Sequence, residues 1–184
     1  MDRFSFVLVL LSVIVGLGLT ELLSGVARQI KYRTGITHSF LQGMTVVIVM
    51  TALFQQWWES WSLQTVDSWS VGDMILLLSG PIFLFLISHL LFPDRMENAD
   101  LRAHYHANSR AVWSLAIVTV IVATAFRPLS FSYDVLALDN LSSFLALPVF
   151  VALAIFRSPR LHIMLLPLLL LSLILDILVF NPAI

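Results

Sequence analysis

Residues Phe4 to Ala27 read FSFVLVLLSVIVGLGLTELLSGVA, and Glu21 is the only charge among these 24 residues. The apolar core of a bilayer is about 30 Å thick, and a helix needs about 20 apolar residues to cross it. The stretch meets that length. A secretory signal would carry a shorter apolar core of about 7–15 residues before a small-residue cleavage site. The expectation is therefore a retained spanning helix.

Five further stretches resemble it: Ser39–Trp57, Gly72–Phe92, Ala111–Phe126, Val135–Phe156 and His162–Phe180. The fourth span is short. The fifth opens on Asp139-Asn140-Leu141-Ser142-Ser143 and carries Pro148, so a five-span bundle with a re-entrant segment there is the alternative. The spacing predicts an all-α polytopic membrane bundle of about six transmembrane helices, forming one domain over residues 1–184.

Composition says the same. Of the residues, 59% are hydrophobic and 11% charged, and mean hydropathy is +0.95. A soluble domain is about 25% charged, and this chain has too few charges to clothe a water-facing surface. The net charge of −1 excludes a nucleic-acid binder, which needs a basic excess. With no cysteine there is no disulfide, thiol nucleophile or thiolate metal site.

Loop charges orient the bundle. Arg28, Lys31 and Arg33 follow span 1; Arg95, Arg102 and Arg110 lie between spans 3 and 4; Arg157 and Arg160 precede span 6. They leave only Arg3 and Arg127 for the other side. Basic loops stay cytoplasmic, so both termini are expected outside. Trp57, Trp58, Trp61 and Trp69 would form an aromatic belt at the outer interface. Asp94-Arg95-Met96-Glu97 has capping-box spacing. It predicts a short cytoplasmic helix over 94–110 that runs into span 4.

Polar groups in hydrocarbon usually face protein or water. On span 1, Leu8, Leu11, Val15, Leu19, Leu22 and Val26 share an arc that reads as the lipid face. Ser12, Gly16, Thr20 and Ser24 form a small-residue ladder that lets another helix approach. Glu21 lies beside the ladder, directed into the bundle. It is either half of an ion pair with Arg28 or another basic group, or a titratable carboxylate on a permeation path.

On span 2, His38, Gln42, Thr45, Val49, Ala52 and Gln56 recur at intervals of 4, 3, 4, 3 and 4. Such a stripe is either interhelical glue or the wall of a hydrated path. Ser79-Gly80-Pro81 kinks span 3, with His89 beyond it, and a broken helix of this kind can present carbonyls to an ion. His162, Leu165, Leu169, Ser172 and Asp176 share a face of span 6. Asp73, Asp139 and Asp176, with Arg127, fall at the outer mouth, where they either gather cations or sit among headgroups. Asp73 also suits the positive end of a helix dipole.

No nucleotide-binding or hydrolase motif is present, and no cofactor is expected. The five histidines all fall toward the inner side, so His38, His89 or His162 on facing helices raises the alternative of a haem-bearing redox protein. His104 and His106 diverge on a helix and would not chelate together.

Glu21-Leu22-Leu23-Ser24-Gly25-Val26-Ala27-Arg28, Gln55-Gln56-Trp57-Trp58, Leu90-Leu91-Phe92-Pro93-Asp94 and Asp100-Leu101-Arg102-Ala103-His104-Tyr105 resemble a family of small, uncharacterised bacterial inner-membrane proteins. The resemblance covers spans 1 to 4. It implies a multi-pass protein of the bacterial inner membrane and brings no activity with it. It draws attention to Arg28, Asp100 and Arg102 at the cytoplasmic interface.

The leading expectation is an ion channel or small transporter, homo-oligomeric because one protomer has little room for a path. Glu21, Gln42, Thr45, Gln56, His89 and Asp176 would line that path, and small ions would move along it. The alternative is a scaffold or accessory subunit that engages a partner through Pro93–Arg110.

Overall fold

The computed structural model describes residues 3–65, 69–131 and 140–180. It is all-helical there: α1 (Arg3–Lys31), α2 (Phe40–Glu59), α3 (Val71–Leu90), α4 (Leu101–Phe131), α5 (Leu141–Ile155) and α6 (Pro159–Phe180), with a 3₁₀ turn over Ser60–Thr65. Five of these helices are long and apolar enough to cross a membrane. The sixth, α5, has 15 residues, about 22 Å at 1.5 Å per residue. The chain is a multi-pass helical membrane bundle in which five helices span by length and α5 falls short.

Around the bundle, α2 touches α1 and α6, α1 packs on α3, α3 on α4, α4 on α5 and α5 on α6. The ring closes with α2 leaning inward to reach α3 and α4 as well. Core side chains from every helix meet here, among them Leu11, Leu22, Leu53, Ile87, Leu153 and Leu166, each 1% exposed or less.

The three basic loops lie on one side. Thr37, after α1, pairs with the α4 start through Thr37 N–H to Ala99 C=O (3.0 Å) and Leu101 N–H to Thr37 C=O (3.1 Å). Tyr105 in turn bonds His162, which follows the third basic loop. At the other end, Trp57, Trp58 and Trp61 are each exposed by more than 40%. Phe4 packs edge-on against Trp61.

The lipid face expected for α1 is reversed. Leu11, Val15 and Leu22 are buried, together with Val7. Two glycines join them on that face. A Cβ at Gly18 would lie 3.1 Å from the Leu53 methyls, and one at Gly25 would collide with the Phe92 ring. Most of the ladder faces outward: Gly16 has nothing within 4 Å of where a Cβ would be, and Thr20 and Ser24 are exposed, while Ser12 meets α2 by accepting from Trp57 Nε1–H at 3.0 Å. The physical reason is that lipid and protein interior are equally apolar, so Leu and Val do not reveal their side. A threonine can also turn to lipid by bonding within its own helix, as Thr20 does to the Gly16 carbonyl at 2.7 Å.

The helix expected over 94–110 is also corrected. Residues Asp94–Ala99 are not helical, and Asn98 takes a left-handed conformation at φ 55°. The helix starts at Leu101 and is continuous with span 4. Asp100 caps it instead of Asp94, accepting from the N–H groups of Arg102 (2.9 Å) and Ala103 (3.0 Å). An acid next to the first free amides satisfies donors that the helix itself cannot.

Candidate functional site

A cavity of about 260 Å³ lies inside the bundle. Its walls are α2 from Thr45 to Glu59, α4 from Val112 to Ala123, α5 from Asn140 to Phe150 and α6 from Leu169 to Asp176, with Leu84 and Ile87 of α3. Helical period explains the α2 wall. Thr45, Val49, Ala52 and Gln56 of the polar stripe all line it, because steps of three and four keep residues on one face.

The outer end of the cavity is polar. Glu59 ends α2, Asn140 precedes α5 and Asp176 lies one turn before the end of α6, with Ser142, Ser143 and Ser172 nearby. Gln55 Nε2 donates to Asp176 Oδ2 at 2.5 Å and to Glu59 Oε1 at 2.7 Å. One amide thus bridges two carboxylates from α2 and α6. Asp176 is only 8% exposed, and its Oδ1 is buried with no hydrogen-bond partner. A buried carboxylate oxygen left unpaired is costly, so its presence calls for a reason. Among the described residues lining the cavity, none is basic.

The inner end is closed. Leu101, Tyr105, Trp113, Leu153, His162 and Leu166 are each 2% exposed or less. A hydrogen-bonded chain ties α4 to α6 and to the residue that caps the end of α5 across it. Trp113 Nε1–H donates to the Tyr105 hydroxyl at 3.3 Å. That hydroxyl donates to His162 Nδ1 at 2.7 Å, and His162 Nε2–H donates to the Phe156 carbonyl at 2.8 Å. A carbonyl only accepts, so the proton of the neutral ring sits on Nε2. Both His162 nitrogens are therefore engaged, Nδ1 with its lone pair toward the Tyr105 hydroxyl and Nε2 through its proton. Trp113 also stacks on Phe150, with ring centroids 5.6 Å apart at 25°.

The six path residues expected from sequence divide into three places. Thr45, Gln56 and Asp176 line the cavity. Gln42 is buried below it and donates to the Leu91 carbonyl at 3.3 Å, as interhelical glue. Glu21 and His89 lie elsewhere: neither lines the cavity. His89 Nδ1 meets Glu21 Oε1 at 3.1 Å and Arg28 approaches the same oxygen at 4.0 Å, with side chains 61%, 26% and 40% exposed. Glu21 is thus the member of a partly exposed ion cluster between α1 and α3, and is not committed to the bundle interior.

The outer-mouth group is likewise divided. Asp73 forms a capping box with Ser70, accepting from its N–H at 2.8 Å and its hydroxyl at 2.7 Å. Its role is at the helix end. Asp139 and the side chain of Arg127 lie outside the described residues. Pro81 is buried within α3, and Gly80 beside it gives the Gln56 amide its room: a Cβ there would sit 2.9 Å from Gln56 Oε1. Arg102 is exposed at the inner face. His38 is exposed as well.

Sequence reasoning missed Gln55, Tyr105 and Trp113. Gln55 precedes Glu59 by four residues, which is the spacing of neighbours on a helix face. That signal was legible. Nothing local marks Tyr105 and Trp113, whose partners are supplied by α6 and α5.

No family model matches this chain, and neither a curated protein nor a solved structure is similar to it.

Proposed function

We propose that the protein is a small membrane transporter whose solute passes through the cavity walled by α2, α4, α5 and α6. The observation that carries this reading is the blind cavity itself. It reaches the outer helix ends at Glu59 and Asp176 and stops at the Trp113–Tyr105–His162 chain. A continuous pore would serve a channel; a cavity that ends on a packed layer of side chains instead of crossing the bundle fits one state of alternating access. Asp176, buried with an unpaired oxygen, is the group on which the solute would be held, because intramembrane ionisable residues mark substrate and ion paths by default.

This reading replaces Glu21 with Asp176 as the central carboxylate. It also removes the need for a second copy to build the path, since one chain encloses the cavity. The basic loops, gathered on one side, support insertion with those loops in the cytoplasm. The bacterial inner membrane is the proposed location.

The test is flux in proteoliposomes, with inorganic ions and small organic ions of both signs offered in turn. Asp176→Asn and Ala146→Phe, the second placing a ring in the cavity wall, should each abolish the flux shown by the wild type. If both variants transport at the wild-type rate, the cavity is not the path. Electrically silent, transport-inactive liposomes together with a stoichiometric protein partner would favour the scaffold reading.

A further inference from the structure

The chemistry of the cavity goes further than its shape. The carboxylate of Asp176 is shut away from solvent with one oxygen bonded to Gln55 and the other bonded to nothing. No described residue lining the cavity carries a positive charge. An anion would meet a carboxylate there with nothing to offset it, so the occupant is a cation.

Its kind follows from what surrounds the charge. A divalent metal wants several oxygen or nitrogen ligands at once, and among the described residues no three His, Asp or Glu are grouped to hold one. A bare monovalent ion would occupy a small part of about 260 Å³. Away from that end the wall is mostly apolar, with Val49, Ala116, Val120, Ala146 and Leu173 along it and Thr45 and Thr119 as its hydroxyls. At the closed end lies the flat Trp113–Phe150 pair, held in orientation by the Trp113 bond to Tyr105. Leu169, at that end, is two helical turns from Asp176, a distance of about 10 Å. The site thus has an anionic acceptor at its outer end and a mostly apolar space below it that ends on the Trp113–Phe150 pair.

We infer that the cavity binds a small protonated amine with an apolar or aromatic body, its N–H donating to Asp176 and its body lying along the apolar wall toward Phe150. An unpaired oxygen asks for a hydrogen-bond donor, which a quaternary ammonium lacks. A charge-assisted N–H bond in a low dielectric is the strong form of such a contact. The volume sets the scale: ligand pockets run from roughly 300 to 1,000 Å³, so the amine is at the small end. This inference rests on the reading of the cavity as a solute site, although binding is measured separately from transport.

The experiment titrates 2-phenylethylamine, and its uncharged counterpart 2-phenylethanol, into the full-length protein in lipid nanodiscs, with protein-free nanodiscs subtracted for partitioning into lipid. Calorimetry should show saturable binding of the amine at one per chain, with the alcohol weaker by at least about tenfold, as befits the loss of a buried charge pair. Asp176→Asn should lower amine affinity by a similar factor and leave the alcohol unchanged. Ala146→Phe should remove both. Should Asp176→Asn not fold, the amine–alcohol comparison on the wild type and the Ala146→Phe variant still decide. Equal affinity for amine and alcohol, or amine binding that survives Asp176→Asn or Ala146→Phe, overturns the inference. Amine bound but not transported upholds it and refutes the transporter; transport of inorganic ions without amine binding does the reverse.

Discussion

Gln55 and Asp176, 121 residues apart in the chain, meet at 2.5 Å and fasten α2 to α6 at the outer end of the bundle. The contact orders the carboxylate while leaving its second oxygen free. Gln55→Leu removes the donor from a buried acid. The variant should lose about 1–3 kcal/mol of stability, read from its thermal unfolding in nanodiscs, and its transport should fall with that of Asp176→Asn. Full stability and full flux together would show that the amide positions nothing.

At the closed end, Tyr105→Phe deletes the hydroxyl that links Trp113 to His162. Interhelical hydrogen bonds within membranes contribute about 0.6 kcal/mol on average and up to about 1.7. The upper part of that range is expected, since two partners lose their bond at once. The same variant should also shift Trp113 fluorescence, because its indole N–H loses its acceptor. An unchanged melting temperature and emission spectrum would contradict the chain.

Gly25 and Gly16 make a paired test of the reversed α1 face. At Gly25 an added methyl meets the Phe92 ring; at Gly16 it meets nothing. Gly25→Ala should destabilise by about 1–3 kcal/mol, as overpacking does. Gly16→Ala should be neutral or stabilise by up to about 1 kcal/mol through helix propensity. Unfolding of both variants beside the wild type gives the answer, and the opposite ranking would restore the ladder as the packing seam.

Glu21→Gln should leave flux at the wild-type level and change stability by less than about 1 kcal/mol, the usual range for exposed ion pairs. The carboxylate is 26% exposed between two still more exposed partners. A large loss of transport in this variant would move the path back to α1.

Five of the six expected spans, and the gathering of the basic loops at one end of the bundle, were legible because length, hydropathy and loop charge are local properties. The α2 stripe was legible too, since polar residues stand out against leucine. What failed was the direction of apolar faces. Leu11 and Leu22 are spaced as a lipid face would be and are fully buried, and only the glycines Gly18 and Gly25, read as close-approach points, would have corrected this. Glu21 stood out as the one charge within span 1, whereas Asp176 was placed both on the path and at the outer mouth, with nothing to rank it first. The difference between them is made by Gln55, and no periodicity relates α2 to α6.

The shortness of α5 has a bearing on the membrane itself. At about 22 Å it spans less than the hydrocarbon thickness of about 30 Å, and its first turn holds Ser142 and Ser143 on the cavity wall. Lipid adapts to such a deficit by thinning beside the protein. Headgroups and water are then drawn down on that flank toward Asp176. The dry barrier beside the described length of α5 would then be narrower than that of the surrounding bilayer.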